Sequence, residues 1–129
     1  MVDELVKKAK AFIARGDGRV LAVPEVVEAV GVNRRILERS FKAAGAGTVL
    51  DAIIEARLLR AARLLVGANK TIYEIAIECS FSTPSYLVSV FRRKFGMTTR
   101  EFRRRCAESG FTGERAFTEE FREWLTRLG

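Results

Sequence analysis

The pattern that decides the fold lies in residues 71–96, TIYEIAIECSFSTPSYLVSVFRRKFG. Thr71 and Glu74 have the spacing of a capping box, which predicts the start of a short helix. Ser82 is expected to cap a second helix that ends at Gly96. The apolar residues that recur at helical spacing, and so predict the inner faces, are Ile75, Ala76, Cys79, Leu87, Val90, Phe91 and Phe95. The stretch therefore predicts two helices joined by a short turn.

The same pattern occurs once before in the chain. A shift of 49 residues aligns Glu25–Val27 with Glu74–Ala76, and the turn Gly31–Asn33 with Ser80–Ser82. One residue is then inserted, and a shift of 50 aligns the second helices of the two pairs. The residues aligned by this shift are Leu37 with Leu87, Phe41 with Phe91 and Lys42 with Arg92. A repeat at a set spacing predicts two helix-turn-helix motifs, where a single copy would be weak evidence.

The rest of the chain also carries apolar residues at helical spacing, and it lacks the strict alternation that is typical of half-buried strands. A first helix is predicted over 3–15. A short helix opens at Pro24, and Asn33 caps the helix that follows it. Thr98 caps one more helix that runs to about Ala107. The sequence therefore predicts an all-α fold.

A long helix is predicted between the two motifs, from about residue 49 to residue 67. Thr48 and Asp51 form a capping box at its start. The buried stripe of this helix is expected to contain Leu50, Ile53, Ile54, Leu58, Ala61 and Leu65. About 20 residues at about 1.5 Å each span roughly 30 Å, close to the ~34 Å between successive major-groove segments on one face of DNA. Two helix-turn-helix motifs on such a helix would reach adjacent grooves.

These boundaries divide the chain into a module and an extension. The module covers residues 1–107, with motifs at about 22–45 and 71–96 joined by the linker helix at about 49–67. Residues 108–129 form an amphipathic C-terminal helical extension, whose apolar stripe contains Phe117, Phe121, Trp124, Leu125 and Leu128. An exposed stripe of this kind would be sticky, so the extension either docks onto its own module or binds a second copy or another protein.

Composition narrows the classes of function. The net charge of +7 is concentrated in residues 1–110, which hold 20 Lys and Arg against 12 Asp and Glu, and this excess favours a polyanionic partner. The chain has no histidine and only two cysteines, so histidine-based catalysis and structural zinc sites are not expected. We expect no enzyme activity, no cofactor, no metal and no small-molecule ligand. Cys79 is expected to be buried, and Cys106, in a basic stretch, to lie at the surface.

No membrane span and no secretory signal are expected. Uninterrupted apolar runs of about 18 residues are absent, and acids stand near the start of the chain where a signal peptide would carry basic residues. We therefore expect the protein to stay in the cytoplasm.

With these motifs in place, the chain resembles the DNA-binding module of the AraC/XylS family of transcriptional regulators over roughly residues 3–106. The most specific stretches are residues 56–65, 72–76, 80–82 and 90–96. Within the family, Tyr86, Ser89 and residues 32–39 are most similar to the xylose-operon regulator branch. Ser80 stands where the family usually has the glycine of the second turn, which would strain that turn if the position needs a positive φ. The resemblance implies sequence-specific binding of double-stranded DNA, with one recognition helix in each of two successive major grooves, and regulation of bacterial transcription.

Polar and basic residues on the outer faces of the two second helices are the candidate DNA contacts. Arginine can donate two hydrogen bonds to guanine, glutamate can accept one from cytosine, and valine can pack on a thymine methyl. The predicted base contacts are Arg34, Arg35, Glu38, Arg39, Thr83, Ser85, Tyr86, Val88 and Ser89. The predicted backbone contacts are Lys42, Thr71, Ser82, Arg92, Arg93, Lys94 and Thr98. For the helix that carries Arg34 to Arg39, the alternative is a solvated face with ion pairs between residues four apart.

A second class of function keeps the same fold without DNA reading. The chain would then be an adaptor or an antagonist of a related regulator, and the extension would supply its binding surface. RNA polymerase is a further possible partner, and dimerisation through the C-terminal helix stays open.

Overall fold

The computed structural model describes residues 2–19 and 22–128, and for Val2 and Asp3 it describes the backbone alone. Within these residues the regular elements are all helices, and the predicted all-α fold is confirmed. The helices are α1 (Val2–Gly16), α2 (Val23–Val30), α3 (Arg34–Ala43), α4 (Val49–Gly67), α5 (Ile72–Glu78), α6 (Pro84–Phe95), α7 (Thr99–Glu108), a 3-10 turn (Gly113–Phe117) and α8 (Glu119–Leu128). None of the helices in the described ranges is both long enough and apolar enough to cross a membrane.

The chain forms two compact units, Met1–Arg57 and Leu58–Gly129, and α4 contributes to both. Helix α4 is uninterrupted over 19 residues, as the linker prediction requires. At about 1.5 Å per residue its length is about 28 Å. Its N-terminus is closed by the predicted capping box, in which the Asp51 N–H donates to Thr48 Oγ1 at 3.0 Å and the Thr48 N–H donates to Asp51 Oδ2 at 2.9 Å.

The first unit packs α1, α2 and α3 around one apolar core. The buried residues of this core are Val6, Ala9, Ile13, Val23, Val26, Val30, Leu37, Phe41, Val49 and Ile53. Leu5, Phe12 and Val27 are partly buried and pack against this core. The prediction for Leu50 is wrong, because Val49 takes the buried position in the first turn of α4 and leaves Leu50 46% exposed.

The second unit packs the later turns of α4 with α5, α6 and α7. Its buried residues include Leu58, Ala61, Leu65, Ile75, Cys79, Leu87, Phe91, Phe95, Phe102 and Cys106. The burial of Cys79 confirms its prediction, whereas the prediction that Cys106 lies at the surface is wrong. Cys106 stands four residues after Phe102, so both face the core from α7, and burial raises the pKa of the Cys106 thiol to about 12 although Arg105 opposes the shift.

The turn of the second motif agrees with its prediction at Ser80 and differs from it at the cap of α6. Ser80 adopts a φ of +61°, matching Gly31 at +85° in the first motif, so the strain expected for a residue with a side chain is present. The N-cap of α6 is Thr83 rather than Ser82: Thr83 Oγ1 accepts the Tyr86 N–H at 3.0 Å. Pro84 is the first residue of α6, a position that proline favours, and it places the cap at the residue directly before it. Ser82 is therefore the one residue of the second motif that has no counterpart in the first motif.

The C-terminal extension docks onto the second unit, as one of the two predicted alternatives states. Phe121 and Leu125 on α8 are fully buried in the same apolar core as residues of α4 to α7, and the Trp124 ring lies against Phe102 of α7 with centroids 6.4 Å apart. Phe117 departs from the predicted stripe and is 53% exposed, because Ala116 occupies the buried position of the 3-10 turn.

A glycine on α4 makes room for this docking. A Cβ added to Gly67 would overlap the ring of Phe117 and lie 2.8 Å from the Cβ of Ala116, closer than real Cβ atoms approach. The extension therefore belongs to the packing of this unit.

The end of α4 is also held by Arg103 of α7, whose Nε donates to the Leu65 carbonyl at 2.8 Å and so satisfies one of the last carbonyls of the helix.

Candidate nucleic-acid interface

Helix α3 is held by its cap and by two large core residues. Asn33 Oδ1 accepts the Ile36 N–H at 2.9 Å, which confirms the predicted cap. Leu37 and Phe41 are fully buried, so the opposite face of α3 must point outward. The side chains at the centre of that outer face are Arg35, Arg39 and Lys42, and all three are exposed. Helix α3 therefore presents three cations along one line.

Glu38 has a different environment from the one predicted for a base contact. Its Oε1 accepts the N–H of Val49, the first residue of α4, at 3.0 Å, and its Oε2 lies 3.8 Å from Arg34 Nε. The Glu38 side chain is only 30% exposed. A carboxylate at a helix N-terminus also interacts favourably with the helix dipole. Glu38 thus joins α3 to the start of α4, and the Arg34 ion pair matches the alternative predicted for this face.

Helix α6 repeats the construction of α3. Its cap is Thr83, and its buried anchors are Leu87, Val90, Phe91 and Phe95. The outer line consists of Ser85, Ser89 and Arg92, all exposed. Val88 is 42% exposed on one side of this line. Tyr86 is 41% exposed on the other side, with its ring centroid 5.9 Å from that of Phe81.

The two helices correspond residue by residue. Asn33 and Thr83 are both caps, so a shift of 50 applies from the cap onward. This shift aligns the outer lines as Arg35 with Ser85, Arg39 with Ser89 and Lys42 with Arg92. The first line is strongly basic, whereas the second carries hydroxyl groups and a single arginine. The two surfaces have the same geometry and different chemistry.

The N-termini of α3 and α6 differ from the other N-termini in their charge. Neither helix has an acid in its first turn. The five other α-helices between residues 22 and 128, α2, α4, α5, α7 and α8, all carry one. An acid in the first turn stabilises a helix, so its absence leaves the positive end of the dipole open to an external anion. The charge pattern therefore singles out these two helices as the pair suited to meet a polyanion.

The predicted phosphate contacts at Thr71 and Thr98 meet a local obstacle. Both residues form complete capping boxes, in which the hydroxyl accepts the N–H of Glu74 or Glu101 and the carboxylate accepts the N–H of the cap. Hydrogen bonds from Thr71 lower the pKa of Glu74, which keeps a negative charge at that helix end. A phosphate would have to approach a carboxylate at both positions.

The predicted basic contacts on α6 lie in its last turn. Arg92 and Arg93 are exposed, and Lys94 is half-buried. Cations in a last turn also stabilise the helix through its dipole. Arg92 continues the outer line of α6, so it is the cation of this group that shares a face with Ser85 and Ser89.

Sequence analysis missed Ile36. It follows Arg35 in the first turn of α3, and 44% of its surface is exposed. The repeat alignment, which places Ile36 on Tyr86, was the signal that would have found it.

Two helix-turn-helix motifs with exposed basic or polar second helices define the chain as a nucleic-acid-binding module. A family model described as a helix-turn-helix domain matches residues 26–105. The xylose operon regulatory protein of Escherichia coli K12 is 33% identical over 104 residues, which are 80% of this chain and 26% of that protein. The chain therefore spans about a quarter of the length of this relative.

Solved structures agree with this match. A transcriptional regulator from Chromobacterium violaceum, described as containing an AraC-type DNA-binding domain, superimposes with a TM-score of 0.70 at 32% identity, covering 78% of this chain and 90% of that one. The DNA-binding domain of AdpA, solved in complex with a target DNA, superimposes with a TM-score of 0.64 at 25% identity, covering 84% of this chain and 94% of that one. The chain belongs to the AraC-type family of helix-turn-helix transcriptional regulators.

Proposed function

We propose that this chain binds double-stranded DNA in a sequence-specific manner and regulates transcription in the bacterial cytoplasm. The observation that carries the proposal is the matched pair α3 and α6, capped alike, anchored alike and free of first-turn acids. The AdpA domain, to which the chain is similar, was solved with its target DNA.

Each recognition helix enters a major groove in this proposal. Helix α4, about 28 Å long, is comparable with the ~34 Å between successive major-groove segments on one face of the duplex. A single protein would therefore protect two patches about one helical turn apart, and hydroxyl-radical footprinting would detect them. A single protected patch would refute paired groove entry.

The base contacts of the first half-site come from Arg35 and Arg39. Both are exposed at the centre of the outer face of α3, where a guanidinium can donate two hydrogen bonds to guanine O6 and N7. Arg34 stands to one side with Glu38 and is a secondary candidate. The second half-site is contacted by Ser85, Val88 and Ser89, with Tyr86 and the Thr83 hydroxyl beside them. Sequence is read on both helices, but the stronger hydrogen-bond donors are all on α3.

The phosphate contacts come from exposed cations and from open helix ends. Lys42, Arg92 and Arg93 supply the charge, and Lys94 stands beside them. The N-terminus of α6 begins at Thr83, and Ser82 precedes it with an exposed hydroxyl. Such contacts hold the protein on DNA without specifying the sequence.

The test begins with selection of bound duplexes from a random pool. Arg35→Ala and Arg39→Ala should each weaken the selected duplex by about 1–3 kcal/mol and weaken a random duplex less. Arg127→Ala, which removes an exposed arginine from α8, is the matched control and should change neither. Selection that enriches no sequence would remove the proposal of specific binding.

The adaptor alternative retains only part of its predicted surface. Phe121 and Leu125 of the predicted apolar stripe are buried within the second unit, whereas Phe117 is exposed. Dimerisation through the same face would require α8 to leave this packing.

A further inference from the structure

Ile36 and Tyr86 occupy the same position on the two recognition helices. Each is the third residue of its helix, and each donates its backbone N–H to the side chain of the cap, Ile36 to Asn33 at 2.9 Å and Tyr86 to Thr83 at 3.0 Å. Each also exposes a large apolar side chain, 44% for Ile36 and 41% for Tyr86. The caps therefore hold two apolar groups at matching points of the two helices.

Ile36 stands in an unusual setting for an exposed isoleucine. Its exposed neighbours on α3 include Arg35 and Arg39, so the surface around it is strongly basic. Of the seven large apolar residues that are exposed among the described residues, three lie on the recognition helices. A partner that covers Ile36 must accept these cations and must also present an apolar group.

The major groove of DNA meets both requirements. Its edges carry phosphates, and thymine presents a C5-methyl group there, the main apolar feature of the base edges. In helix-turn-helix proteins the N-terminal residues of the recognition helix contact the base edges, and Ile36 lies in the first turn of α3. Covering the isoleucine with a methyl group removes apolar surface from water on both sides.

We propose that Ile36 reads the methyl group of a thymine in the half-site contacted by α3, next to the base pairs contacted by Arg35 and Arg39. The inference rests on the proposed DNA binding and adds a residue that specifies thymine. Tyr86 holds the equivalent place at the other half-site. Ile36 carries no charge, so it contributes to base choice and leaves the salt dependence of binding unchanged.

Deoxyuridine tests the proposal because it differs from deoxythymidine only in lacking this methyl group. Each thymine of a selected duplex is replaced in turn, and affinity is measured for the wild type, Ile36→Ala and Ile77→Ala. Ile77 is the matched control, an isoleucine on α5 that is 61% exposed and lies outside the recognition helices. For the wild type, one replacement in the α3 half-site should weaken binding about fourfold, the effect of one buried methyl-sized group.

The variants separate the possible results. Ile36→Ala should bind the thymine duplex at least about fourfold more weakly and lose the effect of deoxyuridine at that position. Ile77→Ala should keep the wild-type profile. Identical deoxyuridine profiles for the wild type and Ile36→Ala would overturn the assignment of Ile36. If no duplex binds better than random DNA, the proposed function itself fails, which is a different result.

Discussion

Replacing Glu38 distinguishes a residue that positions α3 from one that reads DNA. Glu38 Oε1 accepts the Val49 N–H at 3.0 Å, and Val49 is fully buried at the start of α4. A hydrogen bond to a charged group contributes about 1.5–3 kcal/mol, and a charge at a helix N-terminus adds about 0.3–1 kcal/mol. Because the Glu38 side chain is 30% exposed, solvent screening reduces these contributions by about half, and we expect a loss of about 1–2 kcal/mol for Glu38→Ala. Glu38→Gln keeps an acceptor and should lose about half as much.

Amide hydrogen exchange is the suitable assay, because the tryptophan and both tyrosines of the chain lie in the second unit and would not report on the first. A loss of about 1–2 kcal/mol should speed exchange of the Val49 amide and of the neighbouring α3 amides roughly 5- to 30-fold. Glu28→Ala, which removes an exposed glutamate from α2 of the same unit, is the control and should leave these rates unchanged.

The DNA readout decides between the two roles. If Glu38 positions α3, Glu38→Gln should weaken binding to the selected duplex while the preferred base stays the same at every position. If Glu38 accepts from a cytosine, as its sequence pattern suggested, Glu38→Gln should change the preference at one base pair and leave amide exchange unaltered. That second pair of results would refute the argument from the Val49 contact.

Other perturbations follow from the packing and the caps. Thr83→Ala should lower the free energy of unfolding by about 1 kcal/mol in a thermal melt, since it removes the cap of α6, whereas Ser82→Ala should lower it little. Equal losses for the two variants would contradict the assigned cap. Gly67→Ala should gain about 1 kcal/mol of helix propensity but lose about 1–3 kcal/mol through crowding against Ala116 and the Phe117 ring. A net rise in melting temperature would show that the 3-10 turn can move away. Alkylation of Cys106 at about pH 8 should be much slower in the folded protein than in denaturant, because burial raises the pKa of its thiol to about 12 and the nucleophile is the thiolate. Equal rates in a mass-spectrometric time course would place the thiol at the surface. Randomising the half-site contacted by α3 should reduce affinity at least about tenfold more than randomising the other half-site, and equal losses would show that hydroxyl groups discriminate as well as arginines.

The elements of the fold that depend on nearby residues were predictable from sequence. Helical spacing and capping boxes predicted α1 to α8 within a few residues, because a cap and the apolar positions that follow it lie within two or three turns of one another. The error at the α6 cap arose between two adjacent residues that both cap well, Ser82 and Thr83. Pro84 would have decided the matter, since proline favours the first helical position.

The contacts that join separate elements were not predictable in this way. The bond from Glu38 to Val49 links two helices across a turn, and no periodic pattern of α3 distinguishes an outward carboxylate from one that meets the start of the next helix. Cys106 was misplaced because its basic neighbours suggested exposure, although its spacing of four from Phe102 indicated the core. Long-range packing decided both positions.

The repeat explains why the two halves of the site have the same geometry and different chemistry. The cap, the buried leucine and the buried phenylalanine recur in both helices because they set the orientation of the helix on its own core. The outer line does not take part in that packing, so its residues are free to change, and Arg35 and Arg39 in α3 correspond to Ser85 and Ser89 in α6. An arginine donates two hydrogen bonds to guanine, whereas a serine hydroxyl forms hydrogen bonds with more than one kind of base edge. In the proposed complex α3 therefore discriminates more strongly between base sequences than α6, whose contacts come from Ser85, Val88 and Ser89.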